Sequence, residues 1–308
     1  MEKKITIIGA GNVGAAAAHW ALARKLGNIV LMDVVEGVPQ GKALDLLQSG
    51  PLDGFAGRMI GTNDFADTAD SDVVIIAAGL ARKPGMSRDD LLAKNVAIVK
   101  SCAEQAVKYS PNCFMIVVTN PIDAMVYTAF KATGLDKKRI IGMAGVLDSA
   151  RYRTFLAEEL GVAPQDVQAP VMGIHGDNML PLVRLANVAG VPITELLSQE
   201  RIDAIVHRTQ TGGIEIVNHL KTGSAYFTPG LAAIEMAEAV LLDTHRVLPC
   251  AVYLEGEFDV SGYFLGVPVV LGKNGVEKIL EFELTAEEKA ALQDSVQAVS
   301  KQVAATGL

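Results

Sequence analysis

Apolar residues follow two rhythms along this chain. In the first half they come as short unbroken runs separated by turn-rich or helical stretches. Residues 73–78 and 114–119 are continuous, with β-branched members. Unbroken rather than alternating apolarity predicts strands buried on both faces, as in a parallel sheet covered by helices. Residues 4–9 and 29–33 read as two further strands. Residues 13–26 read as an alanine-rich helix and 88–110 as a long one. Past Gly145 the alternation loosens. Residues 247–254 and 267–271 read as antiparallel strands joined through Glu255-Gly256-Glu257. From Thr285 the chain predicts an amphipathic helix, with capping-box spacing between Thr285 and Glu288 and a stripe of Leu292, Val296, Val299 and Val303. The expected architecture is α/β, with a doubly wound parallel sheet over residues 1–145 and an α+β lobe over 146–308. No repeat of solenoid period is visible.

Composition narrows the class. The 308 residues are 50% hydrophobic, and mean hydropathy is +0.30. No stretch reaches the ~18 uninterrupted apolar residues of a membrane helix. The N-terminus runs directly into the first strand and glycine turn, so it does not read as a signal peptide. Cys102, Cys113 and Cys250 show no CxxC spacing; neither a disulfide framework nor a metal site is expected, and a reducing, cytoplasmic setting is. The net charge of −8 argues against nucleic acid or an anionic membrane as partner.

Candidate chemistry begins at Gly9-Ala10-Gly11-Asn12-Val13-Gly14, between a predicted strand and a predicted helix. That context makes the motif a Rossmann phosphate loop. Gly9 permits the turn, Gly11 lets a pyrophosphate approach the backbone, and Gly14 lets helix pack on strand. Asp33, ending the second strand, can accept from both ribose hydroxyls and would repel a 2′-phosphate, so NAD is expected rather than NADP. Four polar clusters follow: residues 79–88 with Arg82, Lys83 and Arg88 after a strand, Thr119-Asn120-Pro121 after the next, Asp148-Ser149-Ala150-Arg151, and Gly173-Ile174-His175-Gly176-Asp177. Glycines at 79 and 85 suit a lid. The remaining histidines, His19, His207, His219 and His245, lack such company and read as structural or surface residues.

In that order, over essentially the whole chain, these motifs resemble the lactate/malate dehydrogenase family, on its lactate-dehydrogenase-like malate branch. The resemblance implies an NAD-dependent 2-hydroxy-acid dehydrogenase of the tricarboxylic acid cycle. It implies His175 as the proton acceptor from the substrate hydroxyl, Asp148 as its orienting carboxylate, and Arg88 as the cation that polarises the carbonyl. Arg151 would fork around the C1 carboxylate. Asn120 would bond substrate and nicotinamide ribose, and Ser224 matches a position near the substrate. Asn12, Val13, Gly79, Asn95, Thr119 and Asn120 join the glycines and Asp33 as cofactor residues. A homo-oligomer is implied, a tetramer over a dimer.

Arg82 decides the substrate. Malate and oxaloacetate carry a second carboxylate, and by resemblance Arg82 faces it; lactate-selective relatives typically carry glutamine there. Enclosing pyruvate would strand the guanidinium, and a broken buried ion pair costs roughly 3–5 kcal/mol. A lactate or broader 2-hydroxy-acid dehydrogenase stays open as the alternative, as does a non-catalytic NAD-binding sensor. Ala81, Ile174 and Asn178 depart from the common pattern beside the site without removing a catalytic group.

Overall fold

The computed structural model describes residues 2–80 and 88–308, without the side chains of Arg88 and Asp89. The expected roles of Arg82 and of the Arg88 side chain thus fall outside the described residues.

The unbroken apolar runs form the centre of the sheet. Strands β1 (Lys4–Ile8), β2 (Asn28–Met32), β3 (Met59–Thr62), β4 (Val73–Ile76), β5 (Phe114–Val117) and β6 (Ile140–Gly142) lie parallel in the order 3-2-1-4-5-6. Every residue of β4 and β5 is buried, as expected of strands covered on both faces. Helices α1 (Asn12–Ala23), α2 (Val38–Asp53), α3 (Arg88–Tyr109) and α4 (Ile122–Thr133) provide crossovers. The strand order reverses between β1 and β4, the position where open α/β sheets place ligands.

The expected helix over 13–26 stops at Ala23. Lys25 (φ 57°) and Gly27 (φ 135°) then turn the chain. A Cβ at Gly27 would lie 2.2 Å from the Lys3 carbonyl, so the chain has to leave the helix to pass beneath β1.

The second half begins with α5 (Gly145–Leu160). It continues through the short strands β7 (Val167–Gln168), β8 (Val171–Met172), β9 (Leu180–Pro181), β10 (Asn187–Val188) and β11 (Val191–Pro192), then α6 (Ile193–Leu196), α7 (Gln199–Leu220) and α8 (Phe227–Leu241). It ends in β12 (Arg246–Glu255), β13 (Ser261–Gly272), β14 (Gly275–Ile279) and α9 (Ala286–Ala304). These last strands are antiparallel and extend the same sheet, which has nine strands among the described residues. The join is one register pair, Ala251 with Gly142. A Cβ on Gly142 would sit 2.7 Å from Ile122 and 3.1 Å from Ala251, so a larger residue would pry the two halves apart. The capping box at Thr285 forms, with both of its hydrogen bonds present. Among the described residues no helix is long and apolar enough to cross a membrane.

Candidate active site

Around the glycine loop the geometry leaves room where a ligand needs it and none elsewhere. Gly9 has φ 107°, and a Cβ there would lie 2.5 Å from the Ala78 backbone nitrogen. At Gly14 a Cβ would fall 1.8 Å from the Gly9 carbonyl. At Gly11 nothing stands within 4 Å, and Gly11 precedes α1 with no side-chain cap. Among the described residues no acceptor occupies the first N–H groups of α1, at Asn12 and Val13, and the positive end of the helix dipole lies behind them.

Asp33 braces this loop as well as facing it. Its Oδ2 accepts from the Ala10 N–H at 2.6 Å, and its Oδ1 accepts from the Val35 N–H at 3.0 Å. Each carboxylate oxygen keeps a second lone pair. From the other side, Lys42 Nζ donates to the Ala10 carbonyl at 2.7 Å. A cleft of about 570 Å³ runs from Gly11 and Asp33 along Val35 and Ala78 to Gly79 and Leu80. The residues present fit an adenine dinucleotide: open N–H groups, an acceptor pair for a ribose diol, and an apolar slot.

Three of the cofactor candidates shape the loops at the ends of β4 and β5. Asn95 is buried; its Oδ1 accepts from Leu80 N–H at 2.8 Å, and its Nδ2 donates to the Asn120 carbonyl at 2.9 Å. Thr119 donates its hydroxyl to the Ala78 carbonyl at 2.7 Å. Gly79 leaves room for both, since a Cβ there would meet Thr119 Cγ2 at 2.4 Å. Asn120 is exposed, and no hydrogen bond occupies its side chain among the described residues. With Ile174 and Gly176 it lines a second cleft of about 710 Å³, whose far wall is Lys301 and Gln302 of α9.

The catalytic candidates meet on a buried floor. Asp148, in the first turn of α5, is 1% exposed. Its Oδ2 lies 2.8 Å from His175 Nδ1, and its Oδ1 accepts from Arg151 Nη1 at 3.4 Å, one helical turn away. Arg151 Nη1 also donates to the Thr209 carbonyl of α7 at 3.3 Å. His175 sits on the loop after β8, which is pinned by reciprocal backbone bonds between Gly173 and Gly266 and by Ser295 Oγ donating to the Asn178 carbonyl at 2.5 Å. Ser224 lies exposed between α7 and α8, with no hydrogen bond to His175, Asp148 or Arg151.

One group here escaped the sequence reading. Asp123, in the first turn of α4, is fully buried, and its Oδ2 accepts from the His175 backbone N–H at 3.1 Å. Its Oδ1 has no partner. Burial pushes its carboxyl up to about 6, against the lowering by that N–H and by the His175 charge. An aspartate two residues past Thr119-Asn120-Pro121, at the head of an otherwise apolar helix, was the available signal. For His175, burial opposes the charged form, but the carboxylates of Asp148 and Asp123 outweigh it and hold the imidazolium above its ordinary range.

Comparison with known proteins agrees with this geometry. Residues 3–142 match the model of the lactate/malate dehydrogenase NAD binding domain, and residues 145–306 that of the family's alpha/beta C-terminal domain. A malate dehydrogenase of Rhodopirellula baltica is 57% identical over 302 residues, 97% of this chain and 96% of its own. Among solved structures, the malate dehydrogenase of Picrophilus torridus is similar at TM-score 0.97 and 48% identity, covering 100% of this chain and 98% of that one. A lactate dehydrogenase of Cryptosporidium parvum, complexed with lactic acid and NAD, reaches TM-score 0.97 at 44% identity over 100% and 98%. With both lobes matched in order and the motifs in place, the chain belongs to the lactate/malate dehydrogenase family.

Proposed function

We propose that this chain catalyses the reversible, NAD-dependent oxidation of (S)-malate to oxaloacetate. The observation that carries the reading is Asp148, a buried carboxylate that contacts His175 with one oxygen and Arg151 with the other. NAD, when bound along the Gly9–Gly14 loop and Asp33, supplies the hydride acceptor. The remaining work is done by the chain. Asp148 accepts from His175 Nδ1–H, which leaves Nε2 as the base that takes the substrate hydroxyl proton; the same carboxylate then stabilises the imidazolium. Arg151 holds the C1 carboxylate through a two-pronged hydrogen bond. Arg88 polarises the carbonyl in the reverse direction, Arg82 pairs with the second carboxylate, and Asn120 and Ser224 complete the substrate wall. Gly79, Asn95 and Thr119 set the rim along which the nicotinamide end lies.

Residues 1–145 act as the cofactor lobe and 146–308 as the substrate lobe. A homo-oligomer, tetramer over dimer, is supported by family membership and by apolar side chains left outside, Leu52 at 92% exposure and Phe227 at 65%. Cys102, Cys113 and Cys250 are free thiols that burial holds above their ordinary pKa, which suits a reducing cytoplasm. Lactate-type specificity is the second reading, favoured by the likeness to the lactate dehydrogenase structure; it differs in what Arg82 meets.

The test is His175→Asn. NADH affinity, read by fluorescence, is expected to stay at the wild-type value. Oxaloacetate reduction should fall on the order of 10³-fold. Retained turnover would remove His175 from the chemistry and the proposal with it.

A further inference from the structure

We infer that Gly212, midway along α7, is a positioning residue that gives Arg151 the space to bind substrate and thereby sets KM. The inference rests on Arg151 being the carboxylate ligand.

Gly212 and Gly213 lie side by side in a 22-residue helix, although glycine is the poorest helix former after proline. Neither has a positive φ, so backbone conformation does not call for them. What differs is their surroundings. A Cβ on Gly212 would lie 2.5 Å from Arg151 Cδ, 2.9 Å from Nε and 3.5 Å from Cγ. All three nearest atoms belong to Arg151, and none is backbone. A Cβ on Gly213 would meet only Arg151 Nη2, at an ordinary 3.9 Å.

A methyl at 212 therefore presses on a flexible side chain, so the helix can keep its place while the arginine gives way. The displaced atoms matter to the site. Nη1 is held inward by Asp148 and the Thr209 carbonyl. Nε and Nη2 have no hydrogen-bond partner among the described residues, which leaves them to fork around a carboxylate. Moving Cδ and Nε by about an ångström disturbs that fork, a displacement of the size that costs on the order of a hundredfold, here in kcat/KM through weakened substrate binding. His175 contacts the other oxygen of Asp148, so proton transfer is affected less than binding.

The experiment compares Gly212→Ala, Gly213→Ala, Arg151→Ala and the Gly212→Ala/Arg151→Ala double variant in oxaloacetate reduction, with Tm and NADH affinity alongside. Gly212→Ala should raise KM roughly 10- to 100-fold, keep kcat within a few-fold, leave NADH affinity alone and melt no lower than wild type. Gly213→Ala should match wild type in KM. In the Arg151→Ala background, Gly212→Ala should add no further loss. A wild-type KM in Gly212→Ala would overturn the inference, as would a collapsed Tm, which would mean that the backbone yields instead of Arg151. Failure of the underlying reading looks different: Arg151→Ala would itself keep a wild-type KM.

Discussion

The glycine loop and the proposed catalytic floor lie at the C-terminal side of the sheet, but they are built in opposite ways. The loop is contiguous, works through backbone N–H groups, and leaves them open: nothing stands within 4 Å of a Cβ at Gly11, and Asn12 is exposed. The floor brings together Asp123 of α4, Asp148 and Arg151 of α5, His175 after β8 and the Thr209 carbonyl of α7, with both carboxylates buried and His175 and Arg151 half-buried. Peptide dipoles at a helix end bind anions without titrating. Buried side-chain charges perform proton chemistry because each is tuned by its neighbours. Cofactor binding should therefore tolerate changes to the floor, whereas turnover should not.

The largest effect that sharpens this contrast is expected from Asp148→Asn. Without the carboxylate, His175 loses its orientation and imidazolium support, and kcat/KM should fall on the order of 10³-fold with NADH affinity retained. Parallel loss of NADH binding would break the contrast. Next, Arg82→Gln should shift preference from oxaloacetate towards pyruvate. The ratio of the two kcat/KM values should change by a hundredfold to several-thousandfold, the equivalent of roughly 3–5 kcal/mol. An unchanged preference would mean that Arg82 does not face the substrate.

Asp123→Asn tests the tuning. It removes one of two carboxylates that raise the His175 pKa, so the pH profile of malate oxidation, which needs neutral His175, should move to lower pH. The linked stability effect has a definite sign. Burial pushes the folded Asp123 carboxyl up to about 6, well above the ordinary carboxylate range, so between the two values the folded state holds a proton that the unfolded state has released. As pH rises from about 4 to about 6, wild type should thus lose stability relative to Asp123→Asn, by on the order of a few kcal/mol. Denaturant unfolding at several pH values reads this directly; a pH-independent difference would show Asp123 to be ordinary. The smallest effect belongs to the scaffold. Thr285→Ala removes a cap of α9 and should cost about 1 kcal/mol of stability while kcat stays put.

The same contrast explains what the sequence disclosed. The loop was readable because its residues are neighbours and each glycine has a local reason. Asp148, Arg151 and His175 were readable as polar islands in apolar context and through their resemblance to the family. Asp123 was not, because its role depends on a backbone N–H 52 positions away. Gly212 likewise shows its purpose only once α7 lies against Arg151. The helix over Val38–Asp53 carries Pro39, Gly41, Gly50 and Pro51, which mask its periodicity. The sheet's passage through Ala251 and Gly142 depends on one long-range pairing that no local pattern announces.

The most direct test of the account follows NADH oxidation at 340 nm by the wild-type chain, with oxaloacetate and pyruvate at matched concentrations. Strong preference for oxaloacetate is the predicted result, and it would support Arg82 as the selector over an intact catalytic floor. Preference for pyruvate would contradict the substrate assignment, and inactivity with both would contradict the assignment of the floor itself.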